Sequence, residues 1–261
     1  MNIIRIRYMD DVKRIQPFSV EELRDIILIR ADLKNHDIKE QKRILNETLE
    51  ELFPDVEEKY RGYFFIEKYI GSIGGSKLKI VVTCPTCKHE TNMMIDLKQD
   101  AIENIRIEKE NIVLFFAYPD EIYYDENGTP SYDKIFLDNI KGIEYENKKY
   151  DWDELDDETK SNVIDVIEFS DFEYIINKMK IVRIYRRFTC KCKRIIEIEM
   201  DDILDIFKMS IDERSITIFY DINSILVKNG FSIRDIMGMI PIERTIYLNQ
   251  IEKEVKERAK K

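Results

Sequence analysis

The apolar positions of this chain change period twice. Between Ser19 and Gly75 they recur at helical spacing: Ile26, Ile27 and Ile29, then Ile44, Leu45, Leu49 and Leu52, then Tyr60, Phe64, Phe65 and Tyr69. Ser19 with Glu22 has the spacing of a capping box, and Asp37 with Glu40 offers a second cap. A polar break at Lys34-Asn35-His36 separates the first two helices, and Pro54-Asp55 separates the second from the third. The Gly71-Ser72-Ile73-Gly74-Gly75 run predicts where the third ends. The middle turns to β period. LKIVVTC (78–84), TNMMIDL (91–97), IRIEKENIVLFFAYP (105–119) and GIEYENKKYDW (142–152) are rich in β-branched and aromatic residues. Helices are predicted over Asp156 to Glu168 and Asp171 to Met179. Strand period then returns in IVRIYRRFTC (181–190) and in RIIEIEM (194–200), where apolar and acidic residues alternate from Ile195 to Met200.

From Asp201 onward the pattern is helical again. Ser210 with Glu213 is expected to cap a segment carrying Ile216, Phe219, Ile222 and Leu226, which ends at Gly230. Ser232 with Asp235 opens a short helix, and Pro241 suits the first position of a last one that is apolar early and charged late. Helices, a strand-rich centre and helices predict an α+β fold rather than alternating βαβ units. Three regions follow: residues 1–75 helical, 76–200 β-rich and antiparallel, with an acidic insertion at 118–173, and 201–261 helical.

Composition sets limits on this picture. With 261 residues, 44% hydrophobic and 36% charged, and only 8 Gly and 6 Pro, the chain is neither disordered nor fibrous and is long enough for a real core. The best apolar run, Ile112 to Tyr118, falls far short of the roughly 18 residues of a membrane span. The start MNIIRIRYMDDVKR lacks a signal segment, so a cytosolic product is expected. The net charge of −10 is unevenly spread. Tyr118 to Glu173 holds 18 acidic and 5 basic residues, a balance of −13, which leaves +3 for the remainder. Lys178 to Arg194 (KMKIVRIYRRFTCKCKR) has eight basic residues and no acid. Such blocks are either solvated faces that partly neutralise each other or docking surfaces that set register in an assembly.

The sharpest chemical signal is cysteine. The four form two close pairs, Cys84-Pro-Thr-Cys87 and Cys190-Lys-Cys192, each between strand-like segments. VVTCPTCKHETNMMIDL and FTCKCKRIIEIEMDDI share an order of strand, Thr, cysteines, Lys and strand, a weak internal repeat. Two tight turns that each deliver two thiolates suit a structural Zn²⁺, with Cys84, Cys87, Cys190 and Cys192 as ligands. Cys190 and Cys192 need a turn, because residues two apart in a regular strand are too far apart to chelate well. Lys88, Lys191 and Lys193 would offset the negative charge of such a centre. Reduced thiols without metal are the plain alternative; a redox CxxC lacks its βαβ context, and a structural disulfide does not suit a reducing cytosol. His89 could replace a ligand but reads better as a turn residue.

Catalytic patterns are missing. His36 and His89 are the only histidines, and no nucleophile elbow, phosphate-binding glycine loop or dinucleotide fingerprint occurs. Asp151, Asp153, Asp156 and Asp157 lack the glycine and terminal Glu of a calcium loop. A closed four-thiolate site has no open position for substrate, so no catalytic residue and no small-molecule substrate are assigned.

Several stretches together resemble the baseplate hub proteins of T4-like contractile-tailed bacteriophages. PDVEEKYRGYFFIEKYIGSIGGSKLKIVVTCPTC looks like that family's aromatic-rich helix, small-residue turn and cysteine-bearing strand. NMMIDL, IVLFFAYP and FYDINSILVKNGFSIRDIMGMIPIERTIYLNQIEKEVKE are similar to its later elements, including a Met-x-Pro-x-Glu-Arg segment at Met239, Pro241, Glu243 and Arg244. The likeness covers roughly residues 15–117 and 170–255 and departs at 118–165, which reads as a longer insertion. It implies a non-enzymatic virion or assembly protein of the tail baseplate. The partners implied are other hub, wedge or tube proteins and the tape-measure protein, met in the host cytoplasm during assembly. The competing reading is a zinc-ribbon nucleic-acid-binding regulator. It rests on Arg183, Arg186, Arg187, Lys191, Lys193 and Arg194 interleaved with Tyr185 and Phe188, and the acidic total opposes it.

Overall fold

The structure is a computed structural model and describes residues 3–109, 111–124, 130–212 and 214–259. The chain forms two compact units. The first gathers residues 1–6, 13–100 and 182–261; the second gathers residues 7–12 and 101–181.

The first unit is built on helices. The chain enters through a pair of strands, β1 (Ile4–Tyr8) and β2 (Asp11–Ile15), whose residues 7–12 are counted with the second unit; the helical reading of residues 1–75 overlooks them, although Ile4 and Ile6 alternate with Arg5 and Arg7. Helix α1 (Val20–Leu33) starts at the expected capping box: Ser19 Oγ accepts from Glu22 N–H at 3.0 Å, and the Glu22 carboxylate accepts from Ser19 N–H at 2.7 Å. Helix α2 (Ile38–Leu52) is capped by Asp37 as expected.

Helix α3 (Glu58–Ile73) is buried over most of its surface, Tyr60, Tyr63, Phe64, Phe65, Ile66 and Tyr69 supplying the apolar bulk, and forms the centre of the unit. Its Phe65 ring meets Phe18, Tyr69 and Phe207 at centroid distances of 6.0, 6.1 and 5.4 Å. The helix ends inside the expected Gly71–Gly75 run, at Gly74, whose φ of +73° closes it. Gly71 lies within the helix, where a side chain would strike Ile4 of β1.

The later helices are α7 (Ile203–Ser210), α8 (Ser215–Lys228), α9 (Ile233–Gly238) and α10 (Pro241–Arg258). The Ser210–Glu213 cap does not form as expected. Ser210 ends α7, buried, and its hydroxyl donates to the Ile206 carbonyl at 2.7 Å, while Glu213 lies outside the described residues. The amphipathic run of α7 extends through position 210, so the serine satisfies its hydroxyl within the helix. The Ser232–Asp235 cap and the N1 proline of α10 are as expected.

Two antiparallel hairpins complete the first unit. β3 (Lys77–Thr83) pairs with β4 (Glu90–Asp96), and β9 (Ile184–Thr189) pairs with β10 (Ile195–Met200). In β10 the half-buried and exposed positions alternate along Ile195–Met200, with Glu197 and Glu199 exposed.

The second unit is a four-stranded antiparallel meander, β5 (Ile105–Lys109), β6 (Ile112–Phe116), β7 (Ile140–Tyr145) and β8 (Lys148–Asp151), in that order. Three helices accompany it. α4 (Tyr132–Asp138) went unpredicted, α5 (Asp157–Asp165) is shorter than expected, and α6 (Phe169–Met179) starts two residues early. An Asp171 carboxylate accepting from Glu168 N–H fixes that earlier start. Ile107, Leu114, Phe116, Phe136, Ile143 and Ile175 supply its core.

Candidate metal centre

Each cysteine pair sits in the turn of one first-unit hairpin. The β3–β4 turn carries Cys84 and Cys87, and the β9–β10 turn carries Cys190 and Cys192. The two turns repeat one another bond for bond. In the first, Cys84 N–H donates to the His89 carbonyl and Lys88 N–H donates to the Cys84 carbonyl, both at 2.9 Å. In the second, Cys190 N–H donates to the Arg194 carbonyl and Lys193 N–H to the Cys190 carbonyl, both at 2.8 Å. The repeat seen in the sequence is thus a repeat of geometry, although the second turn is one residue shorter.

β4 lies beside β9, which brings the two turns together. The four sulfurs all lie within 4.8 Å of one another, with Cys84 Sγ to Cys192 Sγ at 3.8 Å and Cys87 Sγ to Cys190 Sγ at 3.6 Å. Cys84 and Cys190 are buried, Cys87 and Cys192 exposed, and all four are free thiols. A tetrahedral thiolate centre with metal–sulfur bonds near 2.3 Å has sulfurs about 3.8 Å apart, so the spacing matches that requirement. Arg194 strengthens the contact by donating from Nη1 to the Thr86 hydroxyl of the other turn.

The backbone prepares the site for negative sulfur. N–H groups of Cys87 and Thr86 favour a thiolate at Cys84 and outweigh its burial, which brings its pKa down to about 6. At Cys190 the Cys192 N–H also favours the thiolate, but burial and the hydrogen bonds shared with the other sulfurs prevail and push it up to about 11. Four like groups in contact cannot all ionise together without a cation. Lys88, Lys191 and Lys193 are exposed around the cluster. Among the described residues the group comprises the four cysteines alone; His89 is half-buried and contributes its carbonyl to the turn.

The remaining candidates have structural duties. His36 contacts Asp32 at 3.1 Å on the surface. Asp151 accepts from Asp153 N–H in a turn, and Asp156 caps α5 through Thr159 N–H. No helix among the described residues is long and apolar enough to cross a membrane.

A comparison with protein families decides what kind of protein carries this centre. Residues 1–208 match the model described as T4 bacteriophage base plate protein. The chain belongs to that family. Residues 209–256 of this baseplate protein match a second model, described as Baseplate hub assembly protein Gp51 C-terminal domain, and they cover α8, α9 and most of α10. The first match runs through residues 118–165, where the sequence had suggested departure from the family pattern. No curated protein and no solved structure matches the baseplate chain. Family membership supports a structural or assembly role in a phage tail baseplate and contact with other baseplate proteins.

Proposed function

We propose that the chain is a non-enzymatic component of the baseplate hub, stiffened by one structural Zn²⁺ on Cys84, Cys87, Cys190 and Cys192. The observation that carries this reading is the convergence of four sulfurs from two turns more than one hundred residues apart in sequence, in a chain of the baseplate family. The metal would supply a cross-link between two hairpins and no reaction, since all four positions of the tetrahedron go to protein. A two-stranded hairpin is marginal alone, so a staple at the turns of two of them gives docking surfaces a fixed shape.

The partners are other hub, wedge or tube proteins and the tape-measure protein, and the place is the virion tail baseplate after assembly in host cytoplasm. Part of the basic stretch is already neutralised within its own hairpin: Arg183 pairs with Glu199 at 3.0 Å and Arg187 with Glu197 at 3.3 Å. This weakens the nucleic-acid reading, which needs those cations for phosphate.

The test has two arms. Purified protein should hold about one zinc per chain, lost in Cys84→Ser and in Cys190→Ser. Phage carrying either substitution should accumulate unfinished baseplates. Zinc-free protein with wild-type melting would remove the staple, and normal baseplates with the gene deleted would remove the hub role.

A further inference from the structure

The unused chemistry of the molecule is an aromatic side chain left open in acidic surroundings. Phe116, Phe136, Phe172 and Phe169 form a file of rings, with successive centroid distances of 5.0, 5.2 and 6.2 Å. The file starts in the buried core of the second unit and ends at Phe169, the first residue of α6, which is 73% exposed. Val166, three residues earlier, is exposed as well. Asp165, Glu168 and Glu173 around it are exposed acids, and Glu173 follows Phe169 by one helical turn. The segments of this unit, residues 7–12 and 101–181, hold 23 acidic and 10 basic residues, a balance of −13. Glu168 reaches Lys109 at 3.7 Å, and Asp165 and Glu173 add exposed acid on either side of it. An open aromatic ring among exposed acids has the make-up of an interface anchor whose partner is basic.

The chain itself carries the complementary surface. On β9 and the turn that follows, Arg186, Lys191 and Lys193 are exposed, and none of them pairs with an acid among the described residues. Arg186 stands opposite Ile198 rather than opposite a glutamate. Tyr185 beside it is 48% exposed, and its ring carries Arg183 at 5.3 Å on one side. Both surfaces stay exposed in the single chain.

We propose that a second copy of this chain is the occupant: the acidic corner around Phe169 of one copy receives the Tyr185–Arg186 strand and the basic turn of the next. The contact joins different patches, so it is heterologous and continues from copy to copy, as a ring where the rotation closes and as an open filament where it does not. This inference does not rest on the zinc centre being filled or on the baseplate reading.

The full-length chain, as purified, is examined by analytical ultracentrifugation between 1 and 100 μM. Self-association should appear at low salt and weaken at least about tenfold in 0.5 M NaCl, as screening requires. Two variants then divide the contact. Phe169→Lys with Glu173→Lys removes the acidic side, and Tyr185→Glu with Arg186→Glu removes the basic side; all four positions are exposed, and a melting curve checks each fold. Each variant alone should be monomeric. Their mixture should give a dimer that grows no further, because one intact acidic corner meets one intact basic strand. A monomeric wild type across this range overturns the proposal. So does association that survives both variants, which assigns it to another face, or salt-dependent melting with unchanged mass, which makes the attraction internal to one chain.

Discussion

Lys88 and Lys193 hold the same left-handed backbone position, φ +58° and +67°, each one residue after the second cysteine of its turn. Both N–H groups close the turn by donating to the carbonyl of the first cysteine. A residue with a Cβ is strained in that region, by roughly 1–2 kcal/mol, and a β-branched one more so. The turns hold lysine there despite the strain, beside a group of thiols that gains from nearby positive charge.

Substitution at these two positions separates strain from charge. Lys88→Gly or Lys193→Gly relieves the φ penalty while giving glycine more freedom to lose, so the net gain should be about 0.5 kcal/mol. Lys193→Val should cost about 1–2 kcal/mol. Urea midpoints at constant zinc content read both signs. A glycine variant less stable than wild type would mean that the lysine charge outweighs the strain.

Removing the metal should act on the first unit, which contains all four cysteines. Incubation with a strong chelator is expected to lower the first unit's melting temperature by about 10 °C, a few kcal/mol at roughly 2–4 °C per kcal/mol. Zinc added back should restore it, while magnesium should not, since thiolates prefer the softer ion. Hydrogen exchange at β3–β4 and β9–β10 locates the loss. An unchanged exchange pattern there would exclude a stapling role.

How much of this could be read beforehand depends on the range of the interaction. Local chemistry was legible: Ser19 with Glu22, Asp37 with Glu40 and Ser232 with Asp235 cap helices because a cap involves residues three apart. The cysteine pairs were legible because their spacing is local and their chemistry rare. The pairing of Cys84 with Cys192 and of Cys87 with Cys190 was not, since it depends on β4 lying beside β9. Gly71 has a long-range role of the same kind. As a local signal it marks a turn, but its absent side chain makes room for Ile4, sixty-seven residues earlier. The same applies to the units, which are assembled from separated segments that periodicity along the chain does not join.

Gly142 shows the same long-range logic inside the acidic unit. A methyl group there would meet the Tyr150 carbonyl of the paired strand β8, a backbone atom that cannot swing aside. Gly142→Ala should therefore destabilise the second unit by about 1–3 kcal/mol through overpacking. Gly238→Ala provides a contrast, since a methyl group there meets nothing and the backbone φ is not positive. Comparable costs at the two sites, measured by thermal unfolding, would contradict the assigned contact.

The Met-x-Pro-x-Glu-Arg segment also has a physical reading, and it ends in a cost. The Met239 carbonyl accepts from Val20 N–H, Pro241 opens α10, and the Glu243 carboxylate accepts from Ile240 N–H. Arg244 is then carried inward, 7% exposed, where Nη1 donates to Asn223 Oδ1 at 3.1 Å and the guanidinium lies 4.7 Å from the Phe219 ring centre. Arg244 Nε and Asn223 Nδ2 have no acceptor, and no carboxylate pairs with this arginine among the described residues. Burial brings its pKa down to about 10, well below the ordinary guanidinium range.

The folded state holds the proton less tightly than the unfolded state, so this group opposes folding at neutral pH. Its penalty is complete below about pH 10 and fades as pH rises above that towards the ordinary guanidinium range. Asn223→Asp places a counter-ion at hydrogen-bond distance and should stabilise the protein by about 1–3 kcal/mol at pH 7, with the gain lost as the carboxyl is protonated in acid. Arg244→Met removes the charge and keeps much of the volume, and should also stabilise, by about 1 kcal/mol. Denaturant midpoints for both at pH 7 decide the matter. Destabilisation by Arg244→Met together with no gain from Asn223→Asp would show that the buried guanidinium is already neutralised by something other than this chain's carboxylates.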